Sequence, residues 1–170
     1  LGLDESSNNY NAANFRFGFQ AAQTPWIIAQ DLQSAFANFD AQSMTKLFKF
    51  HTLDAGEDEQ QKVKISIVDI KKSTNDFDPY GSFSVEIRDA RDNDNAPIII
   101  ERYSSVNLNP NSPRYIARVI GDRFIEWDDT ERRYRVYGDY DNASSLIRVE
   151  MNRLIWSNSF QNLDIPFRWC

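Results

Sequence analysis

From Leu47 onward, apolar and polar residues alternate in short runs separated by turn-forming clusters, the pattern of half-buried strands. Leu47 to Leu53 is the first such run. Val63, Ile65 and Ile67 alternate with Lys62, Lys64 and Ser66, which predicts a strand with one wet face. Phe83, Val85 and Ile87 alternate with Ser84, Glu86 and Arg88 and predict another strand of the same kind. Ile98-Ile99-Ile100 is an unbroken apolar run, short enough for a buried strand. Phe124-Ile125-Glu126-Trp127 and Tyr134-Arg135-Val136-Tyr137 flank a polar turn and predict a hairpin. Leu146 to Met151 is the last clear strand. Residues 73–81, 89–97 and 138–142 carry the Asp, Asn and Gly of turns.

Two stretches follow helical spacing instead. Asp31 to Met44 sets Leu32, Phe36, Phe39 and Met44 at roughly helical intervals without Gly or Pro. Around residues 113–120, Ser112 suits a helix N-cap and Pro113 the first helical position. Ile116, Val119 and Ile120 form one apolar face, and Gly121 suits a left-handed terminating turn. Asp4 to Asn14 reads as a polar arm, and Phe15-Arg16-Phe17-Gly18-Phe19 as a short strand. Thr24-Pro25 turns the chain into the apolar Trp26-Ile27-Ile28. Beyond residue 152 the pattern is less regular, and Ile165-Pro166-Phe167 opposes a strand interior. The expected fold class is α+β: a mainly antiparallel β-sheet or sandwich of about seven or eight strands with two short helices. An N-terminal segment with a helix covers residues 1–46, and one compact β-rich unit covers 47–170.

Composition narrows the function. The 170 residues are 41% hydrophobic and 14% aromatic, enough for a packed core and against extensive disorder. The net charge of −6 disfavours a nucleic-acid partner. All six lysines nevertheless lie between Lys46 and Lys72. Lys62, Lys64, Lys71 and Lys72 form either a face for an acidic partner or a solvated strand face. Cys170 and His51 are each the sole residue of their type. A disulfide framework within one chain and a multi-histidine metal site are therefore excluded, and His51 reads as a plain strand residue. No apolar run approaches the roughly 20 residues that span a bilayer, and the start of the chain lacks the pattern of a signal peptide. The chain has no initiator Met and reads as a piece of a longer protein.

Candidate chemistry is sparse. Asn93-Asp94-Asn95-Ala96-Pro97 follows a Val-Glu-Ile-Arg run and resembles the calcium linker of cadherins. Arg91 stands where that motif needs an acid, and a turn whose Asp and Asn side chains bond their own backbone is the other reading. Glu57-Asp58-Glu59 and Asp128-Asp129 are acidic clusters in turns and read as solvated loops. Arg132 to Tyr137 interleaves Arg with aromatics, which would suit RNA stacking. A hairpin with one aromatic face in a core explains it more simply, and the neighbouring acids oppose a polyanion. No Gly-rich phosphate loop and no nucleophile elbow is present, so an enzyme is not expected.

Several strings in series carry a family resemblance. Leu47-Phe48-Lys49-Phe50-His51-Thr52-Leu53-Asp54-Ala55-Gly56-Glu57 and Val63 to Ile70 open it. Tyr80-Gly81-Ser82-Phe83-Ser84-Val85-Glu86-Ile87-Arg88 follows, then Glu101 with Asn107-Leu108-Asn109-Pro110-Asn111-Ser112-Pro113. Tyr115-Ile116-Ala117-Arg118-Val119-Ile120-Gly121-Asp122, Gly138-Asp139-Tyr140-Asp141-Asn142 and Ile147-Arg148-Val149-Glu150 complete it. Together, over residues 47 to about 167, they resemble the tail sheath protein of contractile-tailed bacteriophages. The resemblance implies a virion structural protein assembled in the host bacterial cytoplasm. Its partners would be other sheath subunits in stacked hexameric rings, the tail tube protein, the baseplate and the tail terminator. Contraction would drive the tube through the host envelope, with no cofactor, no nucleic-acid partner and no direct membrane insertion. The sheath of a related contractile injection system and a cadherin-like Ca²⁺-dependent adhesion module are the alternatives. The expected subunit contacts pair Lys62, Lys64, Lys71 and Lys72 with Glu57, Asp58, Glu59, Asp128 and Asp129 of a neighbour.

Overall fold

The structure is a computed structural model, and it describes residues 21–29, 40, 42, 44–55, 61–74 and 80–152. The expected helix over residues 31–44 lies outside the described residues except at 40, 42 and 44, which are not helical; the strand at 15–19, the acidic cluster at 57–59 and everything beyond 152 lie outside them.

Among those residues nine strands form three antiparallel sheets beside one short helix, which is the expected β-rich α+β class. The first sheet is built on β3 (Lys46–Ala55). β1 (Ala21–Gln23) and β2 (Ile27–Ile28) pair with it in succession along one edge, and β9 (Ile147–Met151) pairs along the other. The second sheet has the order β4 (Val63–Lys71), β5 (Ser82–Asp89), β6 (Ile99–Val106). The third is a two-stranded hairpin, β7 (Phe124–Asp128) with β8 (Arg133–Tyr137). Helix α1 (Ile116–Ile120) packs on β9 and β6.

One core joins the first two sheets. Phe48 and Phe50 of β3 meet Phe83, Val85 and Ile87 of β5, and the Phe48 and Phe83 rings stack at 5.8 Å between centroids. Ile116 and Ile120 close one end of that core, and both are fully buried as their spacing predicted.

Four local expectations need correction. β5 does not have a wet face: Ser84, Glu86 and Arg88 are all buried. β5 is the central strand, and the polar side chains of β4 and β6 together with the 90–97 loop cover that side. Ile98, Ile99 and Ile100 do not form a buried strand; they are 58%, 40% and 50% exposed. They enter an edge strand beside a register shift opposite Ile87 and Arg88. The helix starts later than Pro113, at Ile116, because Ser112 closes a tight loop instead of capping. Its hydroxyl accepts from the Arg114 N–H and the Asn107 side-chain amide, and backbone bonds join Asn107 to Arg114 and Ile116. The aromatic hairpin face is not in a core either, as described below.

Candidate functional site

The hairpin is anchored by a reciprocal clasp between residues 120–123 and 138–144. Gly121 has φ +108°, and a Cβ there would stand 2.3 Å from the Asn142 Cα. Gly138 has φ +95°, and a Cβ there would stand 2.4 Å from the Asp122 carbonyl oxygen. Only glycine meets both the angle and the space. Asp122 accepts the Tyr140 N–H at 2.8 Å through its carboxylate. The Asn142 side chain accepts the Arg123 N–H at 3.0 Å and donates to the Arg123 carbonyl at 2.8 Å. Ala143 N–H and Ser144 N–H both donate to the Ile120 carbonyl, which closes the helix end. Arg123 pairs with Asp141.

Beyond this clasp, β7 and β8 alternate with inverted exposure. Phe124 stacks on Tyr137 at 5.2 Å, Glu126 lies opposite Arg135, and Asp128 lies opposite Arg133, all on one face. The other face is wholly apolar: Ile125 opposite Val136, and Trp127 opposite Tyr134. Those four are 66%, 59%, 39% and 71% exposed. A two-stranded hairpin with an uncovered apolar face is marginal alone in water. Asp128 restrains the turn by accepting the Thr130 and Glu131 N–H groups, which together with Arg135 hold its carboxyl below the usual range.

The 90–97 loop is a charge knot built on Arg88. Its guanidinium donates to both Asp92 oxygens at 2.8 and 2.9 Å and to Asp94 at 3.0 Å. Lys64 reaches Asp92 at 2.5 Å, and the Ile98 N–H donates to it at 2.7 Å. The Asp92 side chain is 0% exposed. Arg88 first, then Lys64 and the Ile98 N–H, hold its carboxyl well below the usual range. Two of the carboxylates that a calcium linker would offer are thus turned onto Arg88. Among the described residues no group of three or more His, Cys, Asp or Glu is placed to hold a metal.

A second tie connects the sheets through Glu101 on β6. It accepts hydrogen bonds from the Ser144 hydroxyl at 2.6 Å, the Ser145 hydroxyl at 2.7 Å and the Tyr103 hydroxyl at 2.9 Å. Burial pushes the Glu101 carboxyl up, but these bonds outweigh it and hold it below the usual value. Burial also pushes Tyr103 up to about 12. His51 lies on β3 opposite Arg148 and sits 2.6 Å from Glu150. Burial and Arg148 push His51 down against the pull of Glu150, so the neutral ring donates to that carboxylate.

The structure splits the expected lysine group. Lys64 is committed to Asp92, while Lys71 and Lys72 lie exposed at the opposite end of β4, roughly 25 Å along the strand. Lys62 precedes β4 and is exposed. Asp128 is spent on its own turn and on Arg135, and Asp129 is exposed at the hairpin tip. The apolar hairpin face was missed by sequence reasoning. The signal that could have found it is Ile125 and Trp127 alternating against charged residues in a hairpin with polar flanks. No described helix is long and apolar enough to cross a membrane. Comparison with known proteins finds no matching family model, no matching curated protein and no matching solved structure.

Proposed function

We propose that this chain is a module of the subunit of a contractile phage tail sheath. The reading rests on the resemblance over residues 47 to about 167. One geometric relation carries it further than any other. The Gly-Asp at 121–122 and the Gly-Asp-Tyr-Asp-Asn at 138–142, separate pieces of the sheath-like sequence, interlock through backbone and side chain. Two of the strings that carry the resemblance thus clasp each other and aim the hairpin.

The physics suits such a role. A sheath stores energy in subunit contacts at assembly and releases it by rearranging them. That calls for stiff modules with modest, reversible surface contacts. The shared core and the ties at Asp92 and Glu101 supply stiffness, and the hairpin and the Lys71–Lys72 end supply contact surface. On this reading Lys71 and Lys72 meet acidic loops of a neighbour, such as Glu57, Asp58 and Glu59 or Asp129. The sheath of a related contractile injection machine shares the same physics. The adhesion reading is weaker, because Asp92 and Asp94 are engaged by Arg88.

The test is negative-stain electron microscopy of the intact parent protein expressed alone. Hollow striated tubes of uniform width are expected. Dispersed particles from the intact gene product would sink the reading.

A further inference from the structure

Among the described residues, three that are not glycine sit on left-handed backbone: Asp69 at φ +54°, Ser105 at φ +55° and Arg132 at φ +52°. Arg132 lies in the turn of the β7–β8 hairpin, where such a φ is ordinary. Asp69 and Ser105 lie inside strands, one on each side of β5, and each marks an inserted residue. Asp69 and Ile70 of β4 together face Phe83, because Val68 pairs with Ser84 and Lys71 with Ser82. Ser104 and Ser105 of β6 together face Ser84, because Tyr103 pairs with Val85 and Val106 with Phe83. Two bulges therefore flank the same step of the central strand.

An inserted residue exchanges the two sides of the strand beyond it. Val63, Ile65 and Ile67 of β4 pack against the core, and strict alternation would send Asp69 and Lys71 after them. The bulge turns both to the opposite face, where Asp69 meets Arg102 and Lys71 is exposed. On β6 the insertion turns Val106 inward beside Phe83, and Val106 is fully buried.

The two bulges are held differently. Burial of Phe83 and Val106 locks the one on β6. Beyond the one on β4, Asp69, Ile70, Lys71 and Lys72 are all exposed. Arg102 holds it from β6: its guanidinium reaches across β5 to Asp69 at 2.8 Å and Glu86 at 3.2 Å. The backbone also rests on Gly81, where a Cβ would stand 2.4 Å from the Lys71 carbonyl oxygen. The Arg102 and Asp69 side chains are 45% and 51% exposed, so salt screens their pair. We propose that residues 69–72 form a hinged tail on β4, with Asp69 as the hinge and Arg102 as the latch that keeps Lys71 and Lys72 on the outer face. Salt, or an acidic group that takes Arg102 from Asp69, opens the latch, and the left-handed strain at Asp69 favours opening. The inference rests on the sheath reading only for its use: a contact surface whose direction a neighbour's carboxylate can change.

The test is amide hydrogen exchange, read residue by residue by NMR on the whole 170-residue chain, in low salt and in about 1 M salt, where the screening length is about 3 Å. An exposed pair shifts an equilibrium by a factor of up to about five. In the wild type the Lys71 and Ser82 amides are expected to exchange about two- to fivefold faster in high salt, while those of Val85 and Val106 keep their rates. Asp69→Asn keeps a residue that tolerates left-handed backbone and removes the charge. It is expected to exchange fast at Lys71 in low salt already and to lose the salt response. Arg102→Lys replaces the fork by one ammonium and is expected to fall between the two. Rates at Lys71 and Ser82 that ignore salt, or an Asp69→Asn chain that behaves like the wild type, would overturn the proposal. An equal rise at Val85 and Val106 would overturn it as well, because the whole sheet would then be loosening. The readout needs no assembly, so it fails separately from the sheath reading. Tubes from the intact parent with a salt-insensitive Lys71 amide remove the latch alone. A responsive latch in a parent that forms no tubes removes the sheath setting alone.

Discussion

Gly121 and Asn142 touch so closely that any Cβ on Gly121 would stand 2.3 Å from the Asn142 Cα and 2.5 Å from its side-chain oxygen. The φ of +108° at Gly121 adds strain for any other residue. Gly121→Ala should therefore destabilise the fold by about 3 kcal/mol or more, combining backbone strain with displacement of the clasp. Urea denaturation checks this: the midpoint should fall with little change in slope. A midpoint equal to the wild type would mean that the clasp is loose.

Asn142 both accepts from and donates to the Arg123 backbone. Asn142→Ala leaves two backbone groups without their partner and should cost about 1–3 kcal/mol. Asn142→Asp keeps the acceptor and loses the donor, so its loss should fall between wild type and alanine. Trp127 fluorescence and hydrogen exchange in β7 and β8 should report loosening there before the core melts.

Glu101 supplies a pH dependence whose sign is fixed. Its hydrogen bonds from Ser144, Ser145 and Tyr103 favour the charged form strongly enough to overcome burial. The folded carboxyl therefore titrates below the ordinary value of 4.5. A depressed acid contributes stability that is complete above its unfolded pKa and is lost as pH falls through the folded one. Melting temperature should hold near neutrality and drop below pH 4.5. Glu101→Gln should melt lower at neutral pH and show a flatter acid limb. An unchanged acid limb would remove Glu101 as the cause.

Arg88 and Asp92 form a buried pair, with 8% and 0% of their side chains exposed. Removing Arg88 leaves the buried Asp92 carboxylate with Lys64 and the Ile98 N–H alone to compensate it. Arg88→Met should lower the melting temperature by several degrees. Adding Asp92→Asn to Arg88→Met should recover part of that loss, because the under-compensated buried charge is gone. Equal melting of the single and double variants would show that the pair is not coupled.

The strands were legible because period-two alternation survives at Val63–Ile67 and Phe83–Ile87 whatever surrounds them. Which side of each strand meets solvent was not legible. Ser84, Glu86 and Arg88 look wet in sequence, yet the 90–97 loop folds back and Asp92 seals Arg88. The hairpin at 124–137 was readable from its alternation and its turn. The outward direction of its apolar face was not, because the clasp joining residues 120–123 to 138–144 sets that direction. Gly121 and Gly138 hint at tight turns, but nothing in the string says they close on each other's flanks. The lysine group looked like one face because Lys62 to Lys72 are close in sequence. An extended strand separates its two ends, and the Asp92 contact removes Lys64.

Helical reconstruction from electron micrographs of the intact parent protein tests the proposed place of this module in a contractile sheath. A hollow tube of stacked six-fold rings is expected, with the three-sheet fold of the described residues recognisable in every subunit. A parent protein that remains dispersed, or that builds an assembly without that ring symmetry or without this fold in its subunit, would contradict it.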